Sequence, residues 1–365
     1  MRSNKLGMVL LVGALGALGA VGCGNKGSGS GEAGGASGAA RGIDAAGNDP
    51  AVVALAKKAA LCKWTDSGFD YACADKKAWE EAEILKDGKA DPTLVAMVED
   101  ASEQVRWLAA SALYNKGKVY QTDKALAERV LAAAEGEKAK SVGRNIGGAA
   151  GRIKLPQHGL VDRAKGLTKA PTLKETRLGF IGSVQFANSD AFYDTTVALA
   201  KSEPDNDVRD AAMSAFWTGT PSAKNAEVCA MWLDLSRDAN DEFAGHAAYF
   251  AAFYPHSGGC KAQWDPLLGD IEKKAKAGTA KSSYWGSAVY YLHAQNQATP
   301  AQKARAITVA KALAENAGNS ASTRVRALEL IAEKAPGGKA YLGKFTNDKD
   351  SYVKSRAAEL QKKAK

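Results

Sequence analysis

From Asp49 onward, apolar residues recur at three- and four-residue spacing along almost the whole chain. Alanine, leucine, lysine and glutamate dominate these segments, and the alternating apolar and polar pattern of strands is nearly absent. Three- and four-residue spacing places apolar side chains on one face of a helix. The pattern therefore predicts an all-α protein built from many amphipathic helices.

A short motif returns along the chain: a β-branched or aromatic residue, often an arginine, and then small residues. The clearest copies begin at Val105, Val208 and Val325 and carry Arg106, Arg209 and Arg326. Weaker copies begin at Val142, Thr176, Phe243, Tyr284 and Val353. Neighbouring copies are 28–41 residues apart, and most follow a polar turn that an amphipathic helix precedes. Helix pairs repeating at this interval are typical of an α-solenoid.

The turn followed by Val-Arg-x-x-Ala resembles the consensus of HEAT repeats over roughly residues 91–362. The resemblance implies about eight stacked helix pairs, with Arg106, Arg209 and Arg326 stabilising the stack. We assign residues 91–365 to this solenoid and expect residues 50–90 to form a helical cap, since solenoid ends need atypical caps. The glycine-rich stretch 143–151 follows no strand, so it favours close helix packing over a dinucleotide site.

The first 49 residues have a different pattern. An apolar run, Gly7 to Gly22, follows Arg2 and Lys5 and ends at Cys23, which is the order of segments in a secretory signal. Residues 20–23 resemble the lipobox of bacterial lipoproteins. That resemblance implies that residues 1–22 are removed and that Cys23 is acylated. Residues 23–49 are rich in glycine and serine and predict a disordered tether, because they offer too little apolar surface to fold.

The lipobox resemblance implies a lipid-anchored protein of the cell envelope. Gly24 follows Cys23 in place of the aspartate that resembles inner-membrane retention signals, which favours the outer membrane. The formal charge is +9, or about +7 without Arg2 and Lys5, and both signs are interspersed. Because an exported protein rarely meets nucleic acid, we expect no nucleic-acid partner. The expected partners are the membrane, through the lipid, and a protein or cell-envelope polymer.

Four cysteines remain beside Cys23, and four cysteines allow three connectivities. Proximity along the chain favours the bridges Cys62–Cys73 and Cys229–Cys260 in an oxidising compartment. The first bridge would pin an aromatic loop at the end of the stack, where the loop serves either as a cap or as a recognition loop. The second would join two neighbouring repeats, because 31 residues is nearly one repeat.

The sequence contains no common spacing of catalytic or metal-binding residues. A zinc cluster of Cys229, His246, His256 and Cys260 matches no tight signature, and a disulfide explains the same cysteines. The acidic clusters 205–207 and 240–242 precede helices and predict N-caps rather than paired catalytic carboxylates. We therefore expect no catalytic residue, metal or cofactor.

Aromatic residues are concentrated in one part of the chain. Thirteen of the 27 lie within residues 214–291, several as adjacent pairs. Adjacent residues of a helix point about 100° apart, so both rings of a pair cannot face inward and some should reach the surface. The candidate partner-binding residues are Trp217, Trp232, Tyr254, Trp264, Tyr284 and Trp285. A bulkier core at this point of the stack would explain the same excess.

These observations favour a membrane-anchored, non-catalytic scaffold or binding lipoprotein that presents a helical-repeat surface. The alternative is a glycan- or small-ligand-binding protein that uses the aromatic patch of residues 214–291. An enzyme of unfamiliar type is the least favoured hypothesis.

Overall fold

The computed structural model describes residues 42–65, 68–70, 72–217, 219–254 and 259–363. The predicted signal peptide, Cys23 and most of the predicted tether lie outside these residues. Within them, the fold is all-α and built from helical repeats, as the sequence predicts. One antiparallel pair of two-residue strands, β1 (Trp64–Thr65) and β2 (Gly68–Phe69), joins the first two helices.

The α-helices of the described residues are α1 (Pro50–Ala59), α2 (Ala74–Glu81), α3 (Asp91–Met97), α4 (Glu103–Lys116), α5 (Lys124–Gly136), α6 (Lys140–Arg152), α7 (Leu155–His158), α8 (Val161–Ala164), α9 (Lys174–Ser202), α10 (Asn206–Ala215), α11 (Asn225–Leu235), α12 (Asp241–Phe253), α13 (Trp264–Ala277), α14 (Tyr284–Ala294), α15 (Pro300–Glu315), α16 (Ala321–Lys334), α17 (Gly338–Leu342) and α18 (Ser351–Lys363). Short 3-10 helices cover Gly42–Asp44, Glu83–Leu85, Val119–Gln121, Lys165–Thr168, Ser222–Lys224, Lys261–Gln263 and Gly343–Phe345.

The helices α3 to α18 form eight successive pairs. The long helix α9 serves two of them, because it breaks at Asn188, whose φ of −137° and ψ of 27° are not helical. The buried Asn188 amide donates to Gly151 O and Ile153 O and accepts from Leu155 N. The second helices of the pairs are α4, α6, the first half of α9, α10, α12, α14, α16 and α18, and consecutive members pack side by side.

An arginine–carboxylate pair links many neighbouring second helices. The arginine is the fourth residue of its helix, and the carboxylate lies three residues before the next second helix begins. The pairs are Arg106–Glu137 (2.9 Å), Arg177–Glu203 (2.9 Å), Arg209–Asp238 and Arg324–Asp348 (2.5 Å). All four arginines also donate to a carbonyl in or after the last turn of the preceding helix: Asp100 O, Thr168 O, Ala200 O and Ala314 O, in chain order. Each arginine thus ties three elements together.

Arg106 and Arg209 occupy this stacking position, but Arg326 does not. Its helix begins at Ala321, so the fourth residue is Arg324, whose side chain is 5% exposed. Arg326 lies half-buried over the rings of Tyr290 and Tyr291 and pairs with Glu329. Aligning this copy of the motif by its valine therefore selects an arginine two residues after the stacking position.

The N-terminal boundary of the ordered chain also differs from the prediction. Residues 42–49 were expected in the tether, but Ile43 N donates to Asp100 Oδ2 over 2.7 Å and Asp49 N to Thr93 Oγ1 over 2.8 Å. Asp100 lies three residues before α4. In later repeats, the carboxylate at this position pairs with an arginine of the preceding second helix. The segment 42–44 therefore occupies the contact that the first repeat leaves open.

Both expected disulfides are present. Cys62 bridges Cys73 with the Cα atoms 5.9 Å apart, and Cys229 bridges Cys260 with the Cα atoms 5.2 Å apart. The first bridge closes the loop that carries the β1–β2 pair. Trp64 and Phe69 of that loop pack edge-on against Trp107 of α4, with ring centroids 6.2 and 5.4 Å away. These two rings cover α4, which is the second helix of the first pair. Tyr71 of the same loop lies outside the described residues.

Candidate binding surface

Adjacent aromatic residues between α10 and α14 divide their rings between the core and the surface. Phe216, Phe250, Tyr254 and Trp285 are buried. Their chain neighbours Trp217, Tyr249, Phe253 and Tyr284 are half-buried. This division is what the 100° step between helical neighbours requires.

The half-buried rings lie together on the face formed by the second helices. We call Trp217, Tyr249, Phe253, Tyr284, Tyr290 and Tyr291 the aromatic strip. Ring centroids lie 5.0 Å apart for Trp217 and Phe253, 4.4 Å for Phe253 and Tyr291, and 5.5 Å for Tyr249 and Tyr291. Tyr284 lies 5.7 Å from Tyr249, and Tyr290 lies 5.6 Å from Tyr291. The strip therefore runs without a gap from the end of α10 across α12 to α14.

An arginine and a histidine lie against tyrosines of the strip. At the α14 end, the Arg326 guanidinium lies 4.4 Å from the ring centroid of Tyr290, within cation–π distance. Glu329 pairs with this guanidinium and also accepts from Arg356 of α18, so the carboxylate that positions the cation is itself held in place. Near α10, His246 stacks on Tyr284 at 4.4 Å, and its Nδ1 lies 2.7 Å from Asp210 Oδ1.

The tyrosines of the strip place their hydroxyl groups at a partly buried surface. Burial raises the pKa of Tyr249 to about 12 and raises that of Tyr284 as well, so both phenols are neutral at neutral pH. Tyr290 donates to Glu333 over 2.9 Å. The hydroxyls of Tyr249, Tyr284 and Tyr291 have no hydrogen-bond partner among the described residues. These three groups can therefore donate to a bound molecule.

Only two of the six candidate partner-binding residues, Trp217 and Tyr284, belong to the strip. The other four are core residues whose polar atoms bond inside the protein. The bonds are Trp232 Nε1 to Met213 O (3.2 Å), Trp264 Nε1 to Ala251 O (3.2 Å), Trp285 Nε1 to Asp241 Oδ2 (3.0 Å) and Tyr254 OH to Asn225 Oδ1 (2.9 Å). The bulkier-core interpretation is correct for these four rings.

Four rings of the strip, Tyr249, Phe253, Tyr290 and Tyr291, are not among the six residues predicted from the sequence. A positional signal was available for two of them, because Phe253 follows Tyr249 at i+4 and Tyr291 follows Tyr284 at i+7, spacings that share a helix face. Adjacency alone shows that some rings are exposed, whereas the helix register shows which ones.

The acidic clusters lie where the N-cap prediction puts them. Asp205 Oδ1 accepts from Asp207 N and Val208 N at 3.0 and 3.2 Å, and Asn240 Oδ1 accepts from Phe243 N at 3.2 Å. Of the imagined zinc cluster, Cys229 and Cys260 form a disulfide, His246 faces Asp210, and His256 lies outside the described residues. Within the part of the chain that the structure describes, no group of three or more His, Cys, Asp or Glu side chains is placed to hold a metal ion.

Comparison with known proteins gives no family. No protein-family model matches the sequence, and no curated protein matches it significantly. Among the described helices, none combines the length and the apolar character needed to cross a bilayer.

Proposed function

We propose that this chain is a membrane-anchored, non-catalytic binding protein that contacts a protein of the cell envelope through the aromatic strip. The observation that carries the proposal is the set of half-buried rings 4.4–5.7 Å apart on consecutive second helices. Aromatic residues are enriched where proteins bind one another, because they offer large rigid surfaces at low entropic cost.

The chemistry of the strip favours a partner segment with apolar or aromatic side chains. Ring faces supply the apolar surface, and the fixed guanidinium of Arg326 supplies a positive charge at one end. The hydroxyls of Tyr249 and Tyr291 supply hydrogen-bond donors between the rings. A peptide that pairs apolar side chains with backbone carbonyls would satisfy both kinds of group.

The anchor is the second part of the proposal. Cys23, with the lipobox resemblance of residues 20–23, supports acylation and attachment to the outer membrane in preference to the inner one. One acyl chain binds a bilayer only marginally, whereas the several chains of a bacterial lipoprotein hold it firmly. Cell fractionation of Cys23→Ser should move the protein from the membrane to the soluble fraction. Retention of Cys23→Ser in the membrane fraction would remove the anchor from the proposal.

Site-specific photo-crosslinking in the cells that make the protein tests the binding surface. A photoreactive phenylalanine at Tyr291 should yield a discrete protein adduct. The matched control is the same residue at Tyr352, an aromatic position of α18 that is 51% exposed and lies outside the strip. The same adducts from both positions, or adducts from position 352 alone, would contradict the proposal.

A specific observation also favours a second function, glycan binding. Sugars bind on aromatic faces and bond to nearby hydroxyls, and Tyr249, Tyr284 and Tyr291 present unpartnered hydroxyls beside ring faces. Calorimetric titration with cell-wall glycan fragments tests this function. Binding that Tyr291→Ala abolishes and Tyr352→Ala leaves intact would support it, and no heat across the fragment panel would exclude it.

A further inference from the structure

A second candidate site lies between the second and third helix pairs, around the last residue of α6. Arg152 lines a pocket of about 560 Å³ together with Gln121, Lys154, Pro156, Gln157, Phe186 and Ala187. Ligand pockets in proteins commonly have volumes of 300–1,000 Å³. The lining joins an apolar side, formed by Phe186, Pro156 and Ala187, to a polar side with two cations and two amides.

The Arg152 guanidinium is held between two aromatic rings. Its Cζ lies 4.6 Å from the ring centroid of Tyr114 in α4 and 5.2 Å from that of Phe186 in α9. Stacking on ring faces suits the planar guanidinium and leaves its edge available for hydrogen bonds. The rings thus fix the direction of the donors without occupying them.

Arg152 lacks the partner that comparable arginines have. Apart from the exposed Arg144, every other arginine of the described residues pairs with a carboxylate. Arg152 pairs with none of the described residues, and its buried Nε has no hydrogen-bond partner among them. A partly buried cation without a counter-charge in the protein favours binding of an anion from solution.

The remaining lining residues strengthen the preference for an anion. Lys154 adds a second cation, and no carboxylate lines the pocket. The carbonyl of Gln121 already accepts from Lys154 N at 3.1 Å and faces His158 Nε2 at 3.0 Å. These two contacts hold the backbone of the pocket wall in place beside the two cations.

We propose that this pocket binds a small ligand that carries a carboxylate or phosphate group on an apolar body. The oxyanion accepts from Arg152 and Lys154, and the apolar body packs on Phe186, a residue that is 54% exposed. Arginine recognises both oxyanions through two parallel N–H donors. This site is separate from the aromatic strip, and its occupancy does not depend on the proposed function.

Calorimetric titration of the full-length chain with three matched probes tests the proposal: 3-phenylpropionate, phenyl phosphate and the neutral 3-phenylpropionamide. We expect the wild type to bind at least one anion and not the amide, and the tighter anion identifies the ligand class. Arg152→Gln should weaken binding about 10- to 100-fold, the loss expected for charge-assisted hydrogen bonds. Arg144→Gln is the matched control, because Arg144 lies two turns earlier on α6, is exposed and is equally unpaired.

Lys154→Gln provides an independent variant should Arg152→Gln fail to fold, and it should weaken the same anion. The proposal is overturned if the wild type binds neither anion, if the amide binds as tightly as the anions, or if Arg144→Gln weakens binding as much as the pocket variants do.

Discussion

Three joints of the stack lack the arginine–carboxylate pair, and two of them are built in opposite ways. Where α6 meets α9, glycines bring the two backbones together: a Cβ on Gly147 would lie 2.1 Å from Thr176 O, and one on Gly179 would lie 2.0 Å from Arg144 O. Where α12 meets α14, aromatic rings fill the space between helices. Neighbouring second helices therefore pack in two ways. At α6–α9 the helices touch because glycines lack side chains, and at α12–α14 large side chains fill the space between them.

The difference has a consequence for function. In the glycine joint, the close approach of the backbones at Gly147 and Gly179 leaves no room for side chains, so this part of the joint serves packing. In the aromatic joint, Trp285 and Asp241 hold the helices from inside, with Asp241 accepting from Lys281 N, Ser282 N and Trp285 Nε1. The rings of Tyr284 and Tyr291 add to this joint from its outer side, where both stay half-buried and keep part of their surface accessible.

The largest expected effect is on the glycine joint. Gly179→Ala should lower the free energy of unfolding by about 4 kcal/mol or more, because backbone atoms cannot yield to the new methyl group as a side chain would. The control is Gly182→Ala on the same helix, where a Cβ would meet nothing within 4 Å. That variant should gain up to about 1 kcal/mol from helix propensity. Guanidinium unfolding measures both, and equal effects would refute the close approach.

The disulfide beside the aromatic joint should come next. Replacing Cys229 and Cys260 by alanine should cost about 3–4 kcal/mol, because the bridge closes a loop of 31 residues in the unfolded chain. Replacing Cys62 and Cys73, which are 11 residues apart, should cost about 1 kcal/mol less. Unfolding midpoints of the two double variants test this order, and the reverse order would contradict it.

The stacking arginines offer a contrast between two residues of one helix. Arg324→Ala should lower the free energy of unfolding by about 2–3 kcal/mol, since it leaves Asp348 and Ala314 O without their donor. Arg326→Ala should cost about 1 kcal/mol, because its guanidinium is less buried. Equal losses would show that the fourth position of the helix has no special role.

The arginine pairs also define how acid should affect the protein. Hydrogen bonds from the Arg324 guanidinium hold the pKa of Asp348 below its usual value of 3.8. A lowered pKa contributes stability that is present above pH 3.8 and lost as pH falls through the folded-state pKa. Stability should therefore decline below about pH 4, and Arg324→Ala should show a shallower decline in acid unfolding curves.

How far the sequence predicts this fold depends on position within the repeat. Helix periodicity and the polar turns correctly indicate eight pairs, because both signals are local. The valine of the motif misleads at Arg326, since a buried valine can occupy more than one position of a helix turn. In the N-terminal segment, the contact between Ile43 and Asp100 depends on residues 57 positions apart, which composition does not reveal.

The candidate surface is likewise predicted by local sequence signals only in part. The excess of rings in residues 214–291 is visible in the sequence, but three of its four tryptophans, Trp232, Trp264 and Trp285, are buried on folding. Surface membership depends on helix register, which fixes Tyr291 outward and Trp285 inward. The Arg152 pocket forms where three helices meet, so no local sequence pattern predicts it.

The smallest expected effect concerns alkaline pH at the aromatic joint. Burial raises the pKa of Tyr249 from 10.0 to about 12, with Tyr291 and Tyr284 adding to the shift and Arg326 opposing it. A raised pKa contributes stability that is present below pH 10 and lost as pH rises through about 12. Tyr249→Phe should therefore lose less stability than the wild type between these two values. Tyr352→Phe, a half-exposed control, should follow the wild type in the same unfolding series.

The central claim is that the outward rings of the aromatic joint serve contact and not folding. The most direct measurement is the yield of the protein adduct from a photoreactive residue at position 217 when Phe253 and Tyr291 are both alanine. We predict that the adduct is lost while the free energy of unfolding falls by no more than about 2 kcal/mol, as expected for half-buried rings. An unchanged adduct yield in this folded double variant would contradict the claim.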